Sequence, residues 1–134
     1  MTRWISSVLA AGAMACGGTS TGGFHDELKF GTGIDGTGFA LVGAADSFSL
    51  ATTRSVFFRF ESQAKFDNRF VRLYFNKLEQ KDFSACAAVD SHICLSSFNV
   101  STAGTYNVEA YLVKTVVDIG QETLVASRTL TLTP

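Results

Sequence analysis

Short runs of alternating apolar and polar residues fill the chain from Phe24 onward. In residues 55–62, Val56, Phe58 and Phe60 fall on one face of an extended chain, because successive side chains of a strand point to opposite sides. Gly, Asp, Asn and Ser separate the runs, as expected of turns. This periodicity is incompatible with helices and predicts strands that each bury one face.

The alternation predicts seven or eight strands. They are expected near residues 28–32, 39–42, 55–62, 70–76, 83–87, 95–100, 105–116 and 123–133. The 12 Gly and single Pro favour strands joined by glycine turns. Residues 118–121 are predicted to turn the chain between the last two strands. The predicted fold class is all-β, an antiparallel sandwich.

Each long run has one face assigned to the core. In the last run Arg128 is the exception on an otherwise apolar face. Besides the three residues above, the predicted core positions are Val71, Leu73, Phe75, Tyr106, Val108, Ala110, Leu112, Leu124, Ala126, Leu130 and Leu132.

Residues 31–38 contain four glycines but lack the Lys-Ser/Thr ending of a phosphate loop, so they are predicted to form a loop between strands.

Length and charge limit the possible functions. The 134 residues leave about 110 after a short leader, which is the size of one domain. The formal net charge is -1, and no run of Lys or Arg is present that would follow a phosphate backbone. No nucleic-acid partner is therefore expected.

The first residues have the pattern of an export signal. Arg3 precedes an apolar stretch over residues 4–14, which is too short to span a bilayer and suits the core of a signal peptide. The sequence Ala13-Met14-Ala15-Cys16 resembles the lipobox of bacterial lipoproteins. That resemblance implies removal of residues 1–15, acylation of Cys16 and anchoring to a membrane. Lipoboxes usually carry Leu where this chain has Ala13, so a secreted protein without lipid remains the alternative.

The lipoprotein reading divides the chain into three parts. Residues 1–15 are the signal peptide, residues 16–23 are the lipidated Cys with a Gly/Ser/Thr tether, and residues 24–134 are the β-sandwich domain. Gly17 stands where an Asp would retain many lipoproteins in the inner membrane. The resemblance thus implies the outer membrane, with a periplasmic or secreted location as the alternative.

The three cysteines are an odd number for an exported protein. Lipidation accounts for Cys16, and this leaves Cys86 and Cys94 with seven residues between them. They are predicted to form a disulfide that stabilises the fold by about 2 to 3 kcal/mol. The alternative is two buried free thiols. A metal site is not expected, because His92 is the only other soft ligand nearby.

Residues 101–108, Ser-Thr-Ala-Gly-Thr-Tyr-Asn-Val, resemble the tyrosine corner of immunoglobulin-like domains. The resemblance implies that the Tyr106 hydroxyl bonds to the backbone a few residues upstream. Antibody domains place a Cys two residues after this Tyr, where the chain has Val108, and no Trp follows the leader. The resemblance therefore implies a bacterial immunoglobulin-like sandwich, a fold that carries no single activity.

No residues are expected to catalyse a reaction. His25 and His92 are the only histidines, and neither lies in a hydrolase or metalloprotease motif. Asp90, Ser91 and His92 are adjacent in the chain, but adjacency does not provide the geometry of a triad. We predict no catalytic residue, no metal and no cofactor.

The predicted functional feature is a sheet face. If the strands at 70–76 and 105–116 pair, Phe70, Arg72, Tyr74, Glu109 and Tyr111 lie on one exposed face. Tyr and Arg are enriched at the energetic centres of interfaces. The alternatives are ordinary cross-strand pairs and a face covered by the chain's own loops.

The sequence thus predicts a non-catalytic cell-envelope lipoprotein whose domain binds a protein or glycan partner or acts as a spacer. The alternative functions are a self-associating structural or adhesion module that uses free sheet edges, and a secreted β-sandwich protein without lipid.

Overall fold

The computed structural model describes residues 23–36, 40–83, 91–114 and 122–134. Its regular elements there are ten strands, and no helix long and apolar enough to span a membrane lies in these ranges. In chain order the strands are β1 (Glu27–Gly31), β2 (Gly33–Asp35), β3 (Ala40–Val42), β4 (Ser47–Ser49), β5 (Ser55–Glu61), β6 (Phe70–Phe75), β7 (Glu79–Phe83), β8 (Ile93–Asn99), β9 (Gly104–Val113) and β10 (Thr123–Thr133). The all-β prediction is confirmed.

The strands form two main sheets and one small ladder. The three-stranded sheet has the order β1-β5-β8, and the five-stranded sheet has the order β4-β10-β9-β6-β7. β2 and β3 pair with each other. All pairs are antiparallel except β4 with β10, which is parallel. The inner faces of the two main sheets share one hydrophobic core, so the arrangement is sandwich-like.

Aromatic rings from both sheets meet in that core. Phe75 of the five-stranded sheet packs edge-to-face on Phe98 of the three-stranded sheet, with ring centroids 5.0 Å apart. Phe58 and Phe83 make a similar contact at 4.8 Å. The predicted inner faces of β5, β6 and β9 are buried, with Tyr106 only half-buried. Edge-to-face pairs stabilise a core beyond the area they bury.

Three short strands differ from the sequence prediction. β4 was not predicted, and β2 lies within residues 31–38, which were expected to form a loop. A Cβ at Gly31 would lie 2.7 Å from the Val42 carbonyl oxygen, so glycine permits the close approach of β3 to the end of β1. β7 begins four residues before the predicted strand at 83–87, of which 84–87 lie outside the described residues. The predicted turn at 118–121 also lies outside them.

One predicted core position is wrong. Leu124 is 52% exposed, whereas Leu130 and Leu132 of the same strand are buried as expected. The β9–β10 register shifts between Leu124 and Ala126, so Leu124 lies opposite Tyr111 while Ala126 lies opposite Ala110. A bulge of one residue moves every residue beyond it to the other face.

The sandwich has two distinguishable ends. We call the end at Glu27, Glu61 and Ile93, which are paired across β1, β5 and β8, the entry pole, because β1, the first strand, begins there. β8 runs from this pole to Asn99, and the chain then crosses into β9. The turn between β6 and β7 lies beside the start of β9, since Asn76 N donates to Asn107 O. We call this opposite end, with residues 76–79 and 99–102, the far pole.

Candidate functional site

β6 and β9 pair antiparallel and bring the predicted site residues onto the outer face of the five-stranded sheet. Arg72 lies opposite Tyr111, and Tyr74 lies opposite Glu109. Phe70 shares this face because residues two apart along a strand point the same way. The five residues are therefore neighbours.

Arg72 is the centre of an ion-pair network on this face. Its Nε and Nη2 donate to the two carboxylate oxygens of Asp82, at 2.8 and 3.2 Å. Its Nη1 donates to Oε2 of Glu122 at 2.8 Å. The guanidinium carbon lies 5.5 Å from the centroid of the Phe70 ring. Planar Arg groups suit such two-pronged carboxylate contacts.

The prediction that all five residues are exposed is wrong for two of them. Arg72 has no exposed area and Phe70 is 9% exposed. Asp82 stands directly opposite Arg72 on β7, and Glu122 reaches it from just before β10. The charge is thus neutralised by the chain itself, and Arg72 is not available to a partner.

Tyr74, Tyr111 and Glu109 remain half-buried. The two phenol rings pack edge-to-face with centroids 5.3 Å apart. The Tyr74 hydroxyl donates to Glu122, the carboxylate that also holds Arg72. We call Tyr74 and Tyr111 the tyrosine pair. Tyr74 is joined to the ion-pair network through Glu122, and Tyr111 packs on Tyr74.

The surroundings of both phenols raise their pKa above the ordinary value. The hydrogen bond to Glu122 raises the pKa of Tyr74, and burial adds to this rise. Burial raises the pKa of Tyr111, and the charges of Glu109 and Glu122 act in the same direction. Both side chains are therefore neutral hydrogen-bonding groups at physiological pH.

Asp82 and Glu122 were not among the predicted site residues. Asp82 lies in a polar run, Glu-Gln-Lys-Asp, without apolar alternation, and its pairing with Arg72 depends on a register that periodicity does not give. Glu122 lies 50 residues from Arg72 in the chain, and no local pattern connects them.

Both histidines make contacts at the entry pole. The rings of Phe24 and His92 stack with centroids 4.0 Å apart, and His92 Nδ1 lies 3.0 Å from the Ser62 carbonyl oxygen. The backbone N of His25 donates to Glu61 Oε2 at 2.5 Å. These contacts fix the point at which the chain enters the domain. Within the described ranges, no cluster of three or more His, Cys, Asp or Glu is arranged to hold a metal ion.

The predicted cysteine chemistry falls mostly on residues that are not described. Cys94 is fully buried in β8. Cys16 and Cys86 lie outside the described residues, as does Asp90. Acylation at Cys16 and a bond between Cys86 and Cys94 stay predictions.

Comparison with known proteins brings no match: no family model, no curated protein and no solved structure is similar to this chain. The described residues form an all-β domain with a half-buried pair of tyrosines on the outer face of its five-stranded sheet.

Proposed function

We propose that this protein is a non-catalytic lipoprotein of the cell envelope, anchored through Cys16, whose immunoglobulin-like domain docks a protein partner on the tyrosine pair. The observation that carries the proposal is the edge-to-face packing of Tyr74 and Tyr111 on the buried Arg72 network.

The strand order supports an immunoglobulin-like topology. In that fold one sheet contains the first, second, fourth and fifth strands, and the other contains the third, sixth and seventh, with added strands beside the third in variable-type domains. The orders β1-β5-β8 and β10-β9-β6-β7 fit this scheme apart from the fourth strand, which has no counterpart among the described residues, and β4 is an additional strand beside β10. The Tyr106 hydroxyl donates to the Thr102 carbonyl oxygen at 2.7 Å, which is the hydrogen bond of a tyrosine corner. The β2–β3 ladder is then an insertion after the first strand.

The rigidity of the tyrosine pair favours recognition. A tyrosine has few rotatable bonds, so ordering it on binding costs little conformational entropy. Here part of that cost is met during folding, since Tyr74 is already bonded to Glu122 and packed on Tyr111. Preorganised aromatic side chains with a polar end are typical of the energetic centres of interfaces.

Crosslinking in intact cells tests the tyrosine pair. A photoreactive phenylalanine analogue in place of Tyr111 should form a covalent adduct with a discrete partner, because this ring would lie in the interface. The matched control carries the same analogue in place of Phe57, which is half-buried on the outer face of the other sheet. Adducts would be separated by electrophoresis and identified by mass spectrometry.

Adducts at both positions, or at neither, would contradict the proposal that a partner docks on the tyrosine pair. An adduct with a second copy of the chain would replace the proposed partner by self-association. In a second arm, Tyr74→Phe should weaken adduct formation at position 111, since it removes the hydroxyl that bonds the tyrosine pair to Glu122.

Intact mass of the protein recovered from a membrane fraction tests the anchor. We expect loss of residues 1–15, addition of acyl chains at Cys16 and a mass lower by two hydrogen atoms from oxidation of Cys86 and Cys94 to a disulfide. A species that retains Met1, or one cleaved without acyl chains and found in the soluble fraction, would refute the lipid anchor.

A further inference from the structure

The far pole contains a cleft of about 300 Å³ between the two sheets. Its floor is formed by the ends of β6 and β8, with β9 and β10 beside them, and its rim by β7 and the segment that joins β8 to β9. We propose that this cleft binds one sugar ring, as the terminal residue of a glycan. The site is separate from the tyrosine pair, so either proposal stands or fails alone.

The floor of the cleft is aromatic and preformed. Phe75 and Phe98 are 7% and 5% exposed, and their rings pack edge-to-face at 5.0 Å. Tyr106 packs on Phe75 with centroids 6.5 Å apart, and its hydroxyl is held by the Thr102 carbonyl oxygen. A ligand would meet only the small exposed part of the Phe75 and Phe98 rings, together with Tyr106, and would not have to order them because the core already holds them.

One wall of the rim carries two side chains of opposite charge, Glu79 and Lys81. Glu79 lies opposite Phe75, and Lys81 lies opposite Leu73, so both charged side chains share the inward side of β7. They form an ion pair at 3.2 Å, and the Glu79 side chain is 65% exposed. Because the two charges cancel, the wall offers hydrogen-bonding groups without selecting an anion or a cation.

The opposite wall supplies neutral polar groups. Asn99, Ser101 and Thr102 contribute an amide and two hydroxyls. The Asn99 Oδ1 accepts from Ser55 Oγ at 2.9 Å, which fixes the amide in place. The cleft thus combines an apolar floor with a ring of donors and acceptors.

A neutral sugar ring matches this combination. It presents C–H groups on one face to the floor and hydroxyls at its perimeter to both walls. A purely apolar ligand would desolvate the rim groups without giving them partners, which costs binding energy. The volume lies at the small end of ligand sites, so it fits one ring, and the open side lets a glycan chain continue outward.

Chemical-shift titration of the full-length ¹⁵N-labelled chain tests the site. The probes are N-acetylglucosamine and glucose. We expect at least one of them to shift the amide signals of residues 79–81 and 99–102 in a saturable manner, with a dissociation constant on the order of 1 mM. Signals of Tyr74 and Tyr111 should stay unchanged.

A matched pair of variants separates binding from general charge effects. Glu79→Ala should weaken binding of the responding sugar at least about tenfold, because it removes a charged acceptor from the rim and leaves Lys81 unpaired. Glu27→Ala removes the acid of a similar pair with Lys29 on β1, far from the cleft, and should leave binding unchanged. Ser101→Trp should abolish binding by filling the space.

Three results would overturn the sugar site. The first is no shift with either sugar, and the second is equal weakening by Glu79→Ala and Glu27→Ala. The third is a shift of the same amide signals with N-acetylphenylalanine amide and none with either sugar. That result would assign the cleft to an aromatic side chain of a protein.

Discussion

Replacing Arg72 with Met is expected to lower the free energy of unfolding by about 3 kcal/mol. Arg72 has no exposed area, and the substitution would leave Asp82 and Glu122 close together without their cation. The Asp82 side chain is 28% exposed and keeps part of its hydration. The loss of unfolding free energy should therefore be near the lower end of the range for removing one partner of a buried ion pair. Chemical denaturation of both proteins measures the difference.

The control for this prediction is Arg128→Met. Arg128 makes a similar two-pronged contact with Asp46, at 2.5 and 3.0 Å, but its side chain is 40% exposed and that of Asp46 is 52% exposed. Exposed pairs contribute about 0 to 1 kcal/mol, so this loss should be small. Equal losses in the two variants would show that the Arg72 network is not desolvated in solution.

The long strands were predictable because each carries its own signal. β5 and β9 alternate along their length, and the buried face of each coincides with the apolar face of the sequence. In β6 the predicted inner face is buried as well, although Phe70 and Arg72 on its outer face are also buried. Pairing of β6 with β9 followed from the immunoglobulin-like resemblance at Tyr106, and it placed Tyr74 and Tyr111 side by side.

The short strands lacked that signal. β2 and β4 have three residues each, too few for a period of two to be distinguished from a loop. β7 is an edge strand with charged residues on both sides, and inward charges of this kind protect an edge from pairing with other chains. Its polarity hid it from a search for apolar alternation.

The position of the predicted site on the sheet followed from the sequence, but the exposure of its residues did not. The alternation of residues places Arg72 on the outer side of β6. A residue on that side is expected to be exposed to solvent, but Arg72 is buried. Arg72 can be buried because Asp82 and Glu122 pair with its guanidinium and offset the free energy of removing that charge from water. Such partners depend on register and loop paths, which a local pattern does not contain.

Replacing Phe58 with Ala is expected to lower the free energy of unfolding by about 3 to 5 kcal/mol. Phe58 has no exposed area and contacts Phe83 of the opposite sheet and Phe98 of its own, at centroid distances of 4.8 and 6.1 Å. The truncation removes apolar contacts and leaves a cavity where the two sheets meet. Urea denaturation with intrinsic tyrosine fluorescence or circular dichroism measures the loss.

Phe57→Ala is the matched control, because it deletes the same side chain one position away on the same strand. Phe57 points to the outer face and is half-buried, so its loss should cost about 1 kcal/mol. The ratio of the two losses reports which face of β5 is interior. Equal losses would mean that the outer face of the three-stranded sheet is as deeply buried as its inner face. The statement that the two sheets share one core between them would then be wrong.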